Sequence, residues 1–151
     1  MTAELRLYTL AAASPALQAV FGTAPFRWYD TQVQQGTIVP GDDTQPAAAR
    51  LLRVSTIRSY EQAGLQPLSE PRFQLDVLHP LAETARAAAA AVIAFLGTVD
   101  LAGAYQFGSP VTTPPQFPCF VISQRGGLAP EFEPPVYVQS IDFRLYNRED
   151  I

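Results

Sequence analysis

The spacing of apolar residues predicts two short helices at the start of the chain. The first carries apolar residues at helical spacing on one face, namely Leu7, Leu10 and Ala11. Ser14 can cap a second helix, because its hydroxyl can accept a hydrogen bond from the first turn. Pro15 suits the first helical position and Gly22 suits the end, so the pattern favours a short helix between them.

Alternating or β-branched runs predict five strands. They are Phe26–Asp30, Arg50–Arg58, Arg72–His79, Phe120–Ile122 and Val136–Tyr146. In the third strand apolar side chains at Phe73, Leu75 and Val77 alternate with Gln74 and Asp76, which indicates one buried and one solvated face. The last strand is predicted to place one set of residues on a buried face, namely Tyr137, Ile141, Phe143 and Leu145. Asp142 and Arg144 then lie on the other face.

Pro80–Leu96 is the strongest helix prediction, because its alanine-rich body has the highest helix propensity and Gly97 follows it. We expect Leu81, Val92 and Leu96 to supply the bulk of its buried face. The resulting order α–α–β–β–β–α–β–β predicts an α+β fold with a mainly antiparallel sheet and helices packed on one face. We expect one domain spanning residues 1–151.

Long proline-rich segments separate these elements and are interpreted as loops. They are Gly36–Pro46, Gly64–Pro71, Phe107–Pro118 and Ala129–Pro135, and a turn is predicted at Arg125–Gly127. Proline lowers the ordering cost of a loop that presents a fixed shape, so these loops suit a protein that makes contacts through them.

Composition narrows the class of protein. The chain has 151 residues, of which 48% are hydrophobic and 16% charged, so a core can form. The formal net charge is −4 and every basic residue is arginine, which argues against a surface built to bind nucleic acid. The longest apolar run is too short for a membrane span, and nothing at the start resembles a signal peptide, so we expect a soluble protein made in a reducing compartment.

Candidate catalytic chemistry is sparse. One cysteine and one histidine, Cys119 and His79, exclude a disulfide and the usual zinc sites. They are the only candidate nucleophile–base pair, and the residues around Cys119 supply no electropositive setting for a thiolate. No Gly-x-Ser-x-Gly motif occurs, and Gly126-Gly127 lacks the Lys-Ser/Thr of a phosphate loop. We therefore expect no enzyme, no cofactor and no metal.

Two acidic pairs stand out in the predicted loops. Asp42-Asp43 and Glu131/Glu133 lack the regular ligand spacing of a calcium loop, so solvated loop charge is the simplest interpretation. Loops on a rigid scaffold often carry contacts. These four carboxylates are accordingly candidates for contact with a partner.

Three blocks of sequence resemble a known family. They are ELRLYTLAAASPALQAVFG, PRFQLDVLHPLAETARAAAAAVIAFLG and VYVQSIDFRLY, which include Asp76, the helix segment Ala82–Val92 and Asp142-Phe143-Arg144. Together, and in this order, they resemble the tail terminators of long-tailed bacteriophages, which sit at the head end of the tail tube. The segments Gln32–Ala49 and Gly103–Pro118 depart from the family pattern.

The resemblance implies a structural virion protein without catalytic residues. It implies a six-membered ring of identical copies that ends the tail tube, stops its polymerisation and offers a surface to the neck proteins of the head. The implied partners are further copies, the tail tube protein and a neck or stopper protein, with DNA passing through the lumen. The implied location is the neck region of the virion tail, after assembly in the host cytoplasm. Two alternatives stay open: a neck or head-completion connector, and a small-molecule-binding α+β enzyme.

Overall fold

The computed structural model describes residues 3–30, 44–59, 68–99, 105–106, 109–110, 119–132 and 135–148. Three helices occur in these ranges: α1 (Ala3–Ala12), α2 (Pro15–Phe21) and α3 (Ala82–Leu96). The strands in these ranges are β1 (Trp28–Tyr29), β2 (Ala48–Ser59), β3 (Leu68–His79), β4 (Tyr105–Gln106), β5 (Ser109–Pro110), β6 (Phe120–Ala129), β7 (Val136–Arg144) and β8 (Asn147–Arg148).

One sheet organises the fold, with strand order β1-β2-β3-β7-β6. Strands β2, β3, β7 and β6 pair antiparallel, whereas β1 pairs parallel with β2. The short β8 pairs with the start of β3, and β4 and β5 form a separate two-stranded ribbon. The α+β prediction with a mainly antiparallel sheet is confirmed. Within the described residues, no helix is long and apolar enough to cross a membrane.

The ends of the short second helix follow from its sequence. The backbone N–H of Leu17 donates to the hydroxyl of Ser14, and Pro15 occupies the first turn. Gly22 ends the helix with φ of 84°, and a Cβ there would lie 3.1 Å from the carbonyl oxygen of Pro25. Both the conformation and the space therefore favour glycine at this position.

The helices pack on one face of the sheet and bury a single large cluster. The buried face of α3 is mostly alanine: Ala88, Ala89, Val92 and Leu96 enter this cluster, and Ala85 is buried as well. Opposite it lie alternate residues of the central strands, including Leu75, Ile141 and the ring pair Phe73–Phe143, whose centroids are 5.5 Å apart. The predicted facing of Ile141 and Phe143 is confirmed, and Phe73, Leu75 and Val77 lie on the buried face of β3 as predicted. The other face of β3 is not solvated as predicted, because Asp76 and Leu78 on it are buried too.

A second set of aromatic rings fixes α1 and α2 to the edge of the sheet that carries β1. Phe21 meets Trp28 edge-to-face at 6.0 Å, and Phe26 stacks on Trp28 at 6.1 Å. Tyr8 of α1 meets Phe26 edge-to-face at 6.0 Å. Each such contact stabilises the fold by about 0.5–1.5 kcal/mol beyond the contribution of the area that the rings bury.

Several predicted boundaries were wrong. Arg125–Gly127 is no turn but lies inside β6, where pairing with β7 continues to Ala129. Leu68–Pro71, predicted as the end of a loop, is the start of β3, and the segment after Gln106 returns in the β4–β5 ribbon. In each case cross-strand pairing outweighs the turn preference of Gly or Pro.

Two side-chain placements and the start of α3 also differ from the prediction. Tyr137, predicted to be buried, is exposed and lies opposite the exposed Leu128 of β6. Leu81 is exposed and precedes α3, which begins at Ala82, so neither Leu81 nor Pro80 belongs to the helix. Most of the predicted loops Gly36–Pro46 and Phe107–Pro118 lie outside the described residues.

The two neighbouring residues Phe143 and Arg144 test the facing of β7. We expect Phe143→Ala to lower the free energy of unfolding by ~3–5 kcal/mol, because it opens a cavity beneath α3. Arg144→Ala removes an ion pair with Glu70 at 3.0 Å from a side chain that is 47% exposed, so its cost is below ~1 kcal/mol. Urea unfolding of both variants measures the difference. Equal losses would contradict the assigned facing.

Candidate assembly interface

The face of the sheet opposite the helices carries an ordered set of hydrogen bonds centred on Asp76. This residue is 8% exposed, and its carboxylate accepts hydrogen bonds from Arg50 at 3.0 Å, Gln74 at 3.0 Å and Ser140 at 2.7 Å. The three donors come from β2, β3 and β7, so the network ties neighbouring strands together. Arg50 also reaches Glu131 at 3.3 Å.

A second acidic centre lies on the same face, at Asp142 of β7. Its carboxylate accepts hydrogen bonds from Ser123 at 3.1 Å and Arg125 at 3.1 Å, both from β6. Arg144 pairs with Glu70 of β3 and also lies over the ring of Phe120, 5.1 Å from its centroid. This face thus carries charges of both signs in matched pairs.

The charge of Asp76 is stabilised in the folded chain. Burial acts to raise the pKa of Asp76, but the hydrogen bonds from Gln74, Ser140 and Arg50, with the positive charge of Arg50, outweigh it. The pKa of Asp76 is therefore lower than its ordinary value. A lowered folded-state pKa means that the ionised carboxylate stabilises the fold above the unfolded pKa, and that this contribution disappears as the pH falls through the folded value.

Asp76→Asn tests this network. At pH 7 we expect the substitution to lower the free energy of unfolding by about 2 kcal/mol, because charged hydrogen bonds are lost from a nearly buried group. The gap between variant and wild type should begin to narrow below about pH 4, where the aspartate of the unfolded chain becomes protonated, and should shrink further as the pH falls through the lower pKa of folded Asp76. Glu131→Gln is the matched control, since it also faces Arg50 but is exposed, and we expect a change within ~0.5 kcal/mol. A gap that stays constant from pH 7 to pH 3 would contradict the assignment.

Strand β6 forms one edge of the sheet and is exposed along nearly its whole length. Residues 120–128 are all exposed, and only Ala129 is buried. The exposed residues include four large apolar side chains, with relative exposures of 41% for Phe120, 39% for Val121, 47% for Ile122 and 59% for Leu128. Tyr137, opposite Leu128 on β7, extends this surface.

The edge of β6 differs from most protected sheet edges. Natural edges are usually short or carry lysine, proline or inward charge, which prevent pairing with another strand. Strand β6 has ten residues, no proline and one charged residue, Arg125, which pairs with Asp142. A bulge at Ile122 is its one protective feature. Chemically, this edge offers backbone hydrogen bonds and apolar contact area, which suits binding to another protein strand.

The predicted contact residues have mixed outcomes. Asp42, Asp43 and Glu133 lie outside the described residues. Glu131 is exposed, and its carboxylate accepts a hydrogen bond from Arg50, so it joins the edge of the Asp76 network. Sequence reasoning did not anticipate β6 as a surface, although one signal was present. From Phe120 to Ala129 the chain carries a single charge among several apolar residues, which is unusual for an exposed segment.

The structure describes both residues of the candidate nucleophile–base pair, His79 and Cys119. His79 is buried, and both ring nitrogens have partners: Nδ1 accepts from the backbone N–H of Leu81 at 2.9 Å, so Nε2 is the donor to the carbonyl of Gln45 at 2.9 Å. Burial raises the pKa of the Cys119 thiol to about 12. Among the described residues, no group of three or more His, Cys, Asp or Glu side chains is placed to hold a metal ion.

Comparison with known proteins supports the fold. No protein-family model matches this chain, and no curated protein matches it either. Among solved structures, the chain is similar to a chain from the virion of a native gene transfer agent (GTA) particle. The TM-score is 0.62 with 18% sequence identity, over 95% of this chain and 92% of that chain. At this identity the likeness establishes a shared fold.

Proposed function

We propose that this chain is a structural protein of a phage-like particle. The observation that carries the proposal is the long, exposed and nearly uncharged edge strand β6, which is a surface for assembly. The chain that shares its fold comes from the virion of a gene transfer agent particle. These two observations together support a place in the virion, among other virion proteins.

Within such a particle, the proposed role is that of a tail terminator. The whole chain, residues 1–151, acts as one domain that forms a ring, of six copies, on the head-proximal end of the tail tube. The ring stops polymerisation of the tube and presents a surface to the neck protein that joins tail to head. The resemblance of the three sequence blocks supports this finer assignment. The role needs no cofactor and no catalysis.

Two physical features fit a ring around a DNA passage. A contact between two different surfaces of one chain closes into a ring when its rotation closes, and the same subunit then presents different loops to its neighbours along the axis. The net charge of −4 repels the DNA backbone, which lets a duplex pass without sticking. Asp42, Asp43, Glu131 and Glu133 stay candidates for contact with the tube or neck protein.

The alternatives differ in what they need. A neck or head-completion connector would use the same assembly surface one step nearer the capsid. An enzyme would need a free acid, base or nucleophile, but His79 is bonded at both ring nitrogens and the carboxylates of Asp76 and Asp142 each pair with arginine. The geometry therefore favours assembly over catalysis.

Removing the gene from its particle-producing host tests the proposed role. We expect tails of irregular and excessive length that do not join heads, because tube growth then lacks a stop. Electron microscopy measures the tail-length distribution, and expression of the wild-type chain in trans is the control. Tails of normal length that fail to join heads would instead assign the chain to the neck. Normal particles would contradict both roles.

The acidic pair is tested by a double substitution, Asp42→Ser with Asp43→Ser. We expect a melting temperature within ~2 °C of wild type, because the sequence predicts solvated charge at these positions and substitution of such residues rarely changes stability by more than ~0.5 kcal/mol. Complementation of the deletion should fall at least severalfold if these carboxylates contact the tube or neck protein. Glu83→Gln, an exposed change on α3, is the control for lost charge and should complement fully. Full complementation by the double variant would remove the pair from the candidate contacts.

A further inference from the structure

The outward groups of β6 follow from the hydrogen-bond alternation of the sheet. The N–H of Leu145 donates to the carbonyl of Pro71 at 3.2 Å, so odd-numbered residues of β7 direct their backbone groups toward β3. Even-numbered residues of β7 therefore direct theirs toward β6, where they meet Ser123, Arg125 and Gly127. The backbone N–H and C=O groups of the intervening residues, Gln124, Gly126 and Leu128, point away from the sheet.

These outward groups specify what can bind there. A row of alternate N–H and C=O groups is satisfied by an extended strand, which supplies the matching row. Glycine inside a strand allows close approach of another backbone, and Gly126 is one of the outward-facing residues. No described strand pairs with this side of β6.

A second open edge lies on the opposite side of the same sheet. Strand β1 pairs with β2 at Ala49 and Arg50, where the N–H of Ala49 donates outward to the carbonyl of Arg27 at 2.9 Å. The bulge between Arg53 and Ser55 inserts one residue and shifts the alternation, so the backbone groups of Thr56 point outward. Within the described residues, no strand pairs with β2 beyond Arg50.

The exposed side chains of the two edges match in character. On β2, Leu52 is 56% exposed and Val54 is 53% exposed. Two charged side chains that the structure describes near these edges are paired within the subunit: Arg53 with Glu4, and Arg125 with Asp142. Contact between the edges therefore buries apolar area and leaves neither of these two charges unpaired, as in the core of a protein interface.

We propose that β6 of one copy pairs antiparallel with the outer edge of β2, around Thr56, of the next copy, which continues the sheet from subunit to subunit. The proposal rests on the ring of the proposed function, and the ring fixes the sense of pairing. In a ring of six the rotation between neighbours is ~60°, so a strand turns by at most ~60° from one copy to the next and keeps its sense. Because β2 and β6 run antiparallel within one subunit, β6 meets the neighbouring β2 antiparallel.

Proline at Gln124 separates backbone pairing from side-chain contact. Gln124→Pro removes one outward N–H, which an unpaired edge tolerates, so the isolated subunit should keep its circular dichroism and melt within about 3 °C of wild type. We expect it to sediment as a monomer at concentrations where the wild type forms rings. Gln124→Ala removes the same side chain but keeps the N–H, and we expect wild-type rings. Rings from the proline variant, or loss of rings in both variants, would overturn the proposal.

Mixing two deficient variants identifies the partner strand. Thr56→Pro blocks the β2 edge, and Thr56→Ala is its control with the N–H retained. Each proline variant alone should be monomeric, whereas a one-to-one mixture should form a dimer, since one chain keeps its β2 edge and the other its β6 edge. Dimers from Thr56→Pro alone would show pairing of β6 with β6 and would overturn the proposed partner. A monomeric mixture would also overturn it.

Amide hydrogen exchange of the wild type decides the matter if a proline variant does not fold. In the ring, the amides of Gln124, Gly126 and Leu128 should exchange at least about tenfold more slowly than in the dilute monomer, because each is then hydrogen-bonded. Equal rates, or a wild type that stays monomeric with these amides unprotected, would overturn the strand pairing. The tail-length phenotype of the gene deletion judges the proposed function separately, so the two failures are distinguishable.

Discussion

The alanine face of α3, packed on β3 and β7, is the contact on which the rest of the structure depends. Small side chains bring the helix close to the sheet, so Val92 and Leu96 reach the layer formed by Leu75, Ile141 and the Phe73–Phe143 pair. A helix is ~10 Å wide and neighbouring strands lie ~4.8 Å apart, so one helix covers about two strands. Helices α1 and α2 cover the side of β1 and β2. Strand β6, the fifth in the order, lies beyond this layer and is left exposed.

The other face of the sheet is organised by charge. Asp76 and Asp142 are both 8% exposed, and each accepts hydrogen bonds from an arginine and a serine on neighbouring strands. Burying an unpaired carboxylate would cost several kcal/mol, so these contacts are what allow the two acids to lie in the middle of the sheet. With its charges satisfied, this face needs no second helix layer. The fold therefore has one dry face, one polar face and two open edges.

The combination of a covered centre and open edges in the described chain is the structural basis of the assembly role proposed above. Of the pair that sequence reasoning weighed as catalytic, His79 helps to hold the fold together through two bonds to the backbone, and burial raises the pKa of the Cys119 thiol. Within the described residues, the outward N–H and C=O groups of β6 and of the later part of β2 pair with no strand, and exposed apolar side chains lie beside them. These groups recognise a strand by its extended shape, and a protein that repeats around a ring supplies such a strand from its own sequence.

The sequence by itself determined the elements whose signal is local. The caps Ser14 and Gly22 delimit α2, the alanine run predicts α3, and the alternation of β3 and of Ile141 and Phe143 gives the buried face, because period and capping act over a few residues. Only the tertiary structure decided the extent of β6 and β3. Gly126-Gly127 and Pro71 favour turns locally. Nine residue pairs between β6 and β7 nevertheless hold the two glycines extended. Pro71 fits in β3 because its nitrogen faces the side of the strand where β7 ends. The exposed edge could not be predicted for the same reason. The strand that lies outside the helix layer is determined by strand order, and strand order is set by contacts between residues far apart in the chain.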